Sequence, residues 1–116
     1  MDVRRVMAAL TVSDLETAVD TYVRVFGMEV VMNHGWIAIV ASPENPSVQF
    51  GLITRDRTGP VNMNASIEVD DVEAAHRAAQ DAGMEIVHEL QDEEWGVRRF
   101  FFRDRDGNVI NVLTHL

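Results

Sequence analysis

Apolar and polar positions change period along this chain in an order that occurs twice. Val3 to Val12 reads as a strand, with Met7, Ala9 and Thr11 sharing one face by period two. Leu15, Ala18, Val19, Tyr22, Val23 and Phe26 then recur at helical spacing and make one apolar stripe suited to lying on a sheet. Three short runs follow, Met28 to Met32, Trp36 to Ala41 and Ser47 to Thr54. They are broken by Asn33-His34-Gly35 and by Ser42-Pro43-Glu44-Asn45-Pro46. The order then restarts with a strand at Asn62 to Val69 and a thinner helical stripe of Val72, Ala75, His76, Ala79 and Ala82. Strands at Glu85 to Gln91, Val97 to Arg103 and Asn108 to Thr114 complete it.

The recurrence extends to the residues themselves. Ala9-Leu10-Thr11-Val12-Ser13-Asp14-Leu15-Glu16 matches Ser66-Ile67-Glu68-Val69-Asp70-Asp71-Val72-Glu73, and Gly27-Met28-Glu29-Val30-Val31 matches Gly83-Met84-Glu85-Ile86-Val87. A repeat of about half the chain is a duplication; a solenoid needs at least three units. Ser13 with Glu16 predicts a capping box at the first helix, and Asp70 with Glu73 imitates it at the second. Gly27 and Gly83 stand where a left-handed cap would end each helix. The pattern predicts an α+β fold of two paired βαβββ modules in one domain, 1–116. Module one is 1–54, a polar linker runs over 55–61, and module two is 62–116. With both helices on one face of a curved eight-stranded mixed sheet, the other face is expected to be an open concave cup, which is a place for a ligand.

Composition narrows the chemistry. The chain has 116 residues and no cysteine, so neither a disulfide framework nor a thiolate metal site is available. A net charge of −9 argues against binding nucleic acid and favours attraction of cationic small molecules. Val6 to Val12 is too short to span a membrane and is closed by Asp14 and Glu16. The expected setting is cytoplasmic, with no membrane partner. No P-loop, Gly-x-Ser-x-Gly or Gly-x-Gly-x-x-Gly occurs.

The last strands carry the most specific signal. Trp95-Gly96 leads into Phe100-Phe101-Phe102, and Asp104-Arg105-Asp106-Gly107-Asn108 turns the chain into Val109 to Leu113. This hairpin resembles the end of the vicinal oxygen chelate superfamily, the glyoxalase/bleomycin resistance/dioxygenase group, and within it the metal-free drug-binding members. Arg105 stands where that group usually has proline, a change that a type I turn tolerates. In enzymes of the group the cup holds a divalent metal. The resemblance carries its four ligand positions onto Met7, Gln49, Asn64 and Asn111. A thioether and three carboxamides supply neither the carboxylate nor the imidazole that such a cation requires. No metal and no other cofactor is therefore expected.

What the cup is expected to offer is amides, a carboxylate and aromatics. Asn64, Ser66 and Glu68 share a strand face, and Asn111 lies on the last strand. Trp36 and Trp95 present flat surfaces for stacking a planar ligand, against the plainer reading of packing or dimer contact. The candidate ligand-binding residues are Met7, Trp36, Gln49, Asn64, Glu68, Trp95 and Asn111, with no catalytic residue assigned. His76 is expected to be a partly buried, hydrogen-bonded core histidine, and Glu93-Glu94 solvated surface that steers cations if it rims the cup. The resemblance implies non-catalytic binding of an aromatic or cationic antibiotic-type molecule by a homodimer, possibly with exchanged modules. The alternative is a glyoxalase-like lyase or isomerase, or a dioxygenase-related enzyme.

Overall fold

A computed structural model describes residues 1–116. The architecture is α+β, with two helices and eight strands of a mixed, open sheet. In chain order the elements are β1 (Val3–Thr11), α1 (Leu15–Phe26), β2 (Glu29–Asn33), β3 (Ile37–Ala41), β4 (Gln49–Ile53), β5 (Ala65–Val69), α2 (Val72–Asp81), β6 (Glu85–Glu93), β7 (Val97–Arg103) and β8 (Val109–His115). The βαβββ order thus occurs twice, as the periodicity predicts. The chain forms two compact units, one of Met7–Asn62 and one of Met1–Val6 with Met63–Leu116. Strand β1 gives its first residues to the second of these and its last to the first.

In the unit of Met7–Asn62 the strand order is β2-β3-β4-β1, antiparallel except for the parallel pair β1 and β4. Helix α1 buries Leu15 against Ala38, Val40 and Leu52, and Tyr22 meets Phe50 edge-on with centroids 4.9 Å apart. The alternate residues of β4 face the other way. There a Cβ on Gly51 would stand 3.5 Å from Met7 Cε, so Met7 fills the place of the missing side chain.

In the other unit β5 and β8 are parallel, while β8, β7 and β6 are antiparallel neighbours. The core under α2 is Val69, Val72, Ala79, Phe100 and Val112, with Ile67, Phe102 and Ile110 against it. Phe100 and Phe102 therefore face the helix, and Phe101 faces away, as period two requires. Strand β6 is interrupted twice, with register shifts between Ile86 and His88 and between His88 and Gln91.

Two local expectations are corrected. Each helix starts one residue later than the capping boxes predict. Asp14 Oδ1 accepts from the Thr17 N–H at 2.9 Å, and Asp71 Oδ1 from the Ala74 N–H at 3.0 Å. Aspartate caps as well as serine does, and Asp70 is employed elsewhere, accepting the Asp2 N–H at 2.7 Å. His76 is partly buried but not hydrogen-bonded: its ring lies edge-on to Phe100 at 4.9 Å, and its buried Nε2 has no partner. Helix α1 ends on Gly27 at φ 67°, a left-handed position that suits glycine.

Candidate functional site

Polar chemistry collects on the face of β5, β8, β7 and β6 that is turned away from α2. Strand register sets it in rows. Ser66 pairs with Asn111, Asn111 with Phe101, and Phe101 with His88. One step along, Glu68 pairs with Leu113, Leu113 with Arg99, and Arg99 with Gln91. A buried sheet face ordinarily carries apolar side chains. Instead Ser66, Arg99 and Asn111 are all buried.

Asn111 is 3% exposed, and its Nδ2 donates to Ser66 Oγ at 3.0 Å. Its Oδ1 is buried and has no hydrogen-bond partner. Exchanging the two amide atoms would orphan the NH2 instead, so the side chain has one unmet polar group in either orientation. A buried acceptor left in this state costs about 1–3 kcal/mol.

Arg99 is 1% exposed. Its Nε donates to Glu93 Oε1 at 3.0 Å, and the same oxygen stands 2.8 Å from His88 Nε2. The guanidinium carbon lies 4.8 Å from the Phe101 ring centroid and 5.2 Å from that of Trp95. The planar cation is weakly hydrated and stacks well on aromatic faces, which makes its burial tolerable. Burial pushes the Glu93 carboxyl up, but hydrogen bonds from His88 and Arg99, and their charges, outweigh it and hold the group below its ordinary value. Glu93 is therefore an internal counter-ion, which corrects the expectation of solvated surface; Glu94 beside it is exposed. Glu68 Oε1 lies 3.3 Å from His115 Nδ1 and 3.7 Å from an Arg5 nitrogen.

Of the residues singled out in the sequence, Asn64, Glu68, Trp95 and Asn111 belong to this unit. Glu68 and Asn111 share the polar face, and Trp95 sits in the β6–β7 turn, 53% exposed, over Arg99. Asn64 is committed to the fold: its Oδ1 accepts from the Val109 N–H at 2.7 Å, while its own N–H donates to the Val109 carbonyl. Met7, Trp36 and Gln49 belong to the other unit. Met7 is buried beside Gly51, and Gln49 opens β4 opposite Ala41. Trp36 lies one residue before β3, half-buried, with its carbonyl accepting from the Thr54 N–H at 2.9 Å. Arg99 and His88 were not among the residues expected to matter. Period two from Phe101 places Arg99 on the same face, and that is the signal that could have found it.

The donor chemistry does not suit a divalent cation. Met7, Gln49, Asn64 and Asn111 present no imidazole or carboxylate, the Asn64 oxygen is already taken, and no three His, Cys, Asp or Glu side chains converge.

Comparison with known proteins gives a consistent family. The model of the Glyoxalase/Bleomycin resistance protein/Dioxygenase superfamily matches residues 4–112. A superfamily member from Vibrio splendidus 12B01 is 17% identical with a TM-score of 0.74, covering 97% of this chain and 99% of that one. A Legionella pneumophila structure described as an NAD-dependent benzaldehyde dehydrogenase is 14% identical with a TM-score of 0.75, covering 96% and 99%. Methylmalonyl-CoA epimerase from Mycobacterium tuberculosis is 22% identical with a TM-score of 0.65, covering 98% and 87%. At these identities the likeness is one of fold. No curated protein matches the sequence.

Proposed function

The chain belongs to the glyoxalase/bleomycin resistance protein/dioxygenase superfamily, and from that premise we propose that it is a non-catalytic binder of an aromatic or cationic antibiotic-type molecule. The observation that carries this reading is the buried side-chain amide of Asn111, which keeps one unmet polar atom that a ligand would satisfy. Trp95 supplies an exposed ring for stacking, and Glu68 a carboxylate on the same sheet face as Asn111. On the other unit we propose the same role for Met7, Gln49 and Trp36. Binding would need no metal and no cofactor.

We propose further that the chain works as one domain and as a homodimer. In support, β1 leaves Val6 59% and Leu10 41% exposed on one strand face, apolar surface that a second copy would cover.

Titration with a bleomycin-type glycopeptide, followed by heat and by tryptophan fluorescence, tests the reading. Saturable binding that is lost in Asn111→Leu is expected. No saturable signal from any of a panel of such drugs would reject it.

One observation favours the enzymatic alternative, a glyoxalase-like lyase or isomerase or a dioxygenase-related enzyme. His88 Nε2 is held by Glu93 at 2.8 Å, which leaves Nδ1 for proton transfer. Steady conversion of a hemithioacetal or an acyl thioester, abolished in His88→Gln, would establish that reading instead.

A further inference from the structure

The segment after β4 carries a site of another kind, which stands whether or not the sheet face binds a ligand. A cleft of about 510 Å³ opens there, within the unit of Met7–Asn62, lined by Thr54, Arg55, Asp56, Arg57 and Gly59. Its backbone donors fall into two sets. The N–H groups of Thr54, Asp56 and Thr58 are consumed, by the Trp36 carbonyl at 2.9 Å, Asn62 Oδ1 at 2.6 Å and Asp56 Oδ1 at 2.7 Å. The alternate N–H groups, those of Arg55, Arg57 and Gly59, have no partner. The guanidinium groups of Arg55 and Arg57 are exposed and likewise make no hydrogen bond or ion pair. Asp56 between them is 5% exposed, and its Oδ1 also takes the Thr58 hydroxyl at 2.7 Å. Asn62 Nδ2 donates to the Thr54 carbonyl at 3.2 Å and to Thr11 Oγ1 at 3.1 Å, which ties the loop to itself and to the end of β1.

We propose that this loop is an anion site and that its ligand is a phosphate monoester. In a chain of net charge −9 an exposed arginine has carboxylates to pair with, as Arg24 does with Asp20 and Arg98 with Glu73 and Asp92. Here two arginines share one cleft with no acceptor between them. Even with Asp56 counted, the lining keeps a surplus of one positive charge. A guanidinium fork takes two phosphate oxygens at once, and unpaired backbone N–H groups add donors at no cost in mobility. A carboxylate has two oxygens and a single charge. A phosphate monoester has three terminal oxygens and nearly two charges at neutral pH, which answers two cations and three N–H groups better. The cleft is the size of an ordinary small-molecule site and larger than a phosphate group alone, so it has room for the organic part. Asn62 and Asp56 hold the loop in shape, so binding has little ordering left to do.

Phenyl phosphate and benzoate share a ring and differ in the anionic group. Each is titrated at low ionic strength into the full chain while the backbone amide resonances are followed by NMR. Phenyl phosphate is expected to shift the amides of Arg55, Arg57 and Gly59 saturably. It should bind roughly tenfold tighter than benzoate, the size that one further charge-assisted hydrogen bond supplies. Arg55→Gln and Arg57→Gln should each weaken it by a similar factor, and the two together should abolish it. Both side chains are exposed, so the fold should be untouched, and the dispersion of the spectrum checks this. Arg105→Gln removes an exposed, unpaired cation from the β7–β8 turn and should leave the affinity unchanged. Shifts that only grow linearly with concentration, equal binding of benzoate, or an equal loss in Arg105→Gln would overturn the proposal. The two arginines would then be ordinary solvated surface.

Discussion

Glu93 and Arg99 face each other across the β6–β7 hairpin, with Oε1 3.0 Å from Nε and the guanidinium against the rings of Trp95 and Phe101. The pair closes the outer end of the sheet face that carries Asn111. Glu93→Gln keeps the shape but removes the charge that compensates a buried cation. A loss of about 3 kcal/mol is expected, read from the midpoint of urea unfolding. The effect should depend on pH. The carboxyl of Glu93 is held below its ordinary value of 4.5 in the folded chain. Its contribution is then complete above that value and is lost as pH falls through the lower, folded one. Parent and variant should converge in stability in acid, and a gap that stays constant would contradict the assignment.

The Ser66–Asn111 pair should trade stability for binding. Replacing both at once, Ser66→Ala with Asn111→Leu, removes the orphaned polar atom together with the one hydrogen bond that the pair makes. Removing both partners of a buried polar contact is nearly neutral or stabilising. The double variant is expected to unfold at a urea concentration no lower than the parent's while losing ligand binding. Marked destabilisation would mean that the pair serves the fold.

Asn64 should behave oppositely. Its oxygen accepts the Val109 N–H and so extends the parallel pairing of β5 and β8 by one side chain. Asn64→Ala is expected to cost about 1–2 kcal/mol of stability, whereas Asn64→Asp keeps the acceptor and most of that stability. Equilibrium unfolding of the two variants side by side makes the comparison.

His76 offers a simple gain. Its Nε2 is buried without a partner against Phe100, in the apolar layer under α2. His76→Leu fills similar space with no polar atom. It is expected to raise stability by about 1 kcal/mol, a few degrees in thermal midpoint. A fall would show that the imidazole packs better than a branched alkyl group can.

The duplicated order of elements was legible in the sequence because each helix stripe and each strand is set by local periodicity. Gly27 and Gly83 also punctuate both copies alike, at φ 67° and 74°. The split of Phe100 and Phe102 from Phe101 followed from period two alone. The first residue of each helix was not legible, because Ser13-Asp14 and Asp70-Asp71 each place two competent caps side by side. The candidate site was legible only in part. Asn111 and Glu68 could be placed on a strand face, but which amide already had a partner depends on a contact 45 residues away, Asn111 with Ser66. Arg99 sits in an Arg98-Arg99-Phe100 run in which both cations read as surface. Only Arg98 is at the surface, bridging Glu73 and Asp92. What buries Arg99 is the extension of β6 to Glu93, two residues beyond the predicted end, which brings a carboxylate across the hairpin.

The two breaks in β6 have a consequence for the protein in crowded conditions. A straight outermost ribbon offers a ladder of free amides and carbonyls on which a newly made copy could dock and begin a fibril. The kinks on either side of His88 throw that ladder out of step, so a passing chain finds only a few matching rungs. The same irregularity that aims an imidazole at Glu93 should therefore keep concentrated solutions of this protein clear.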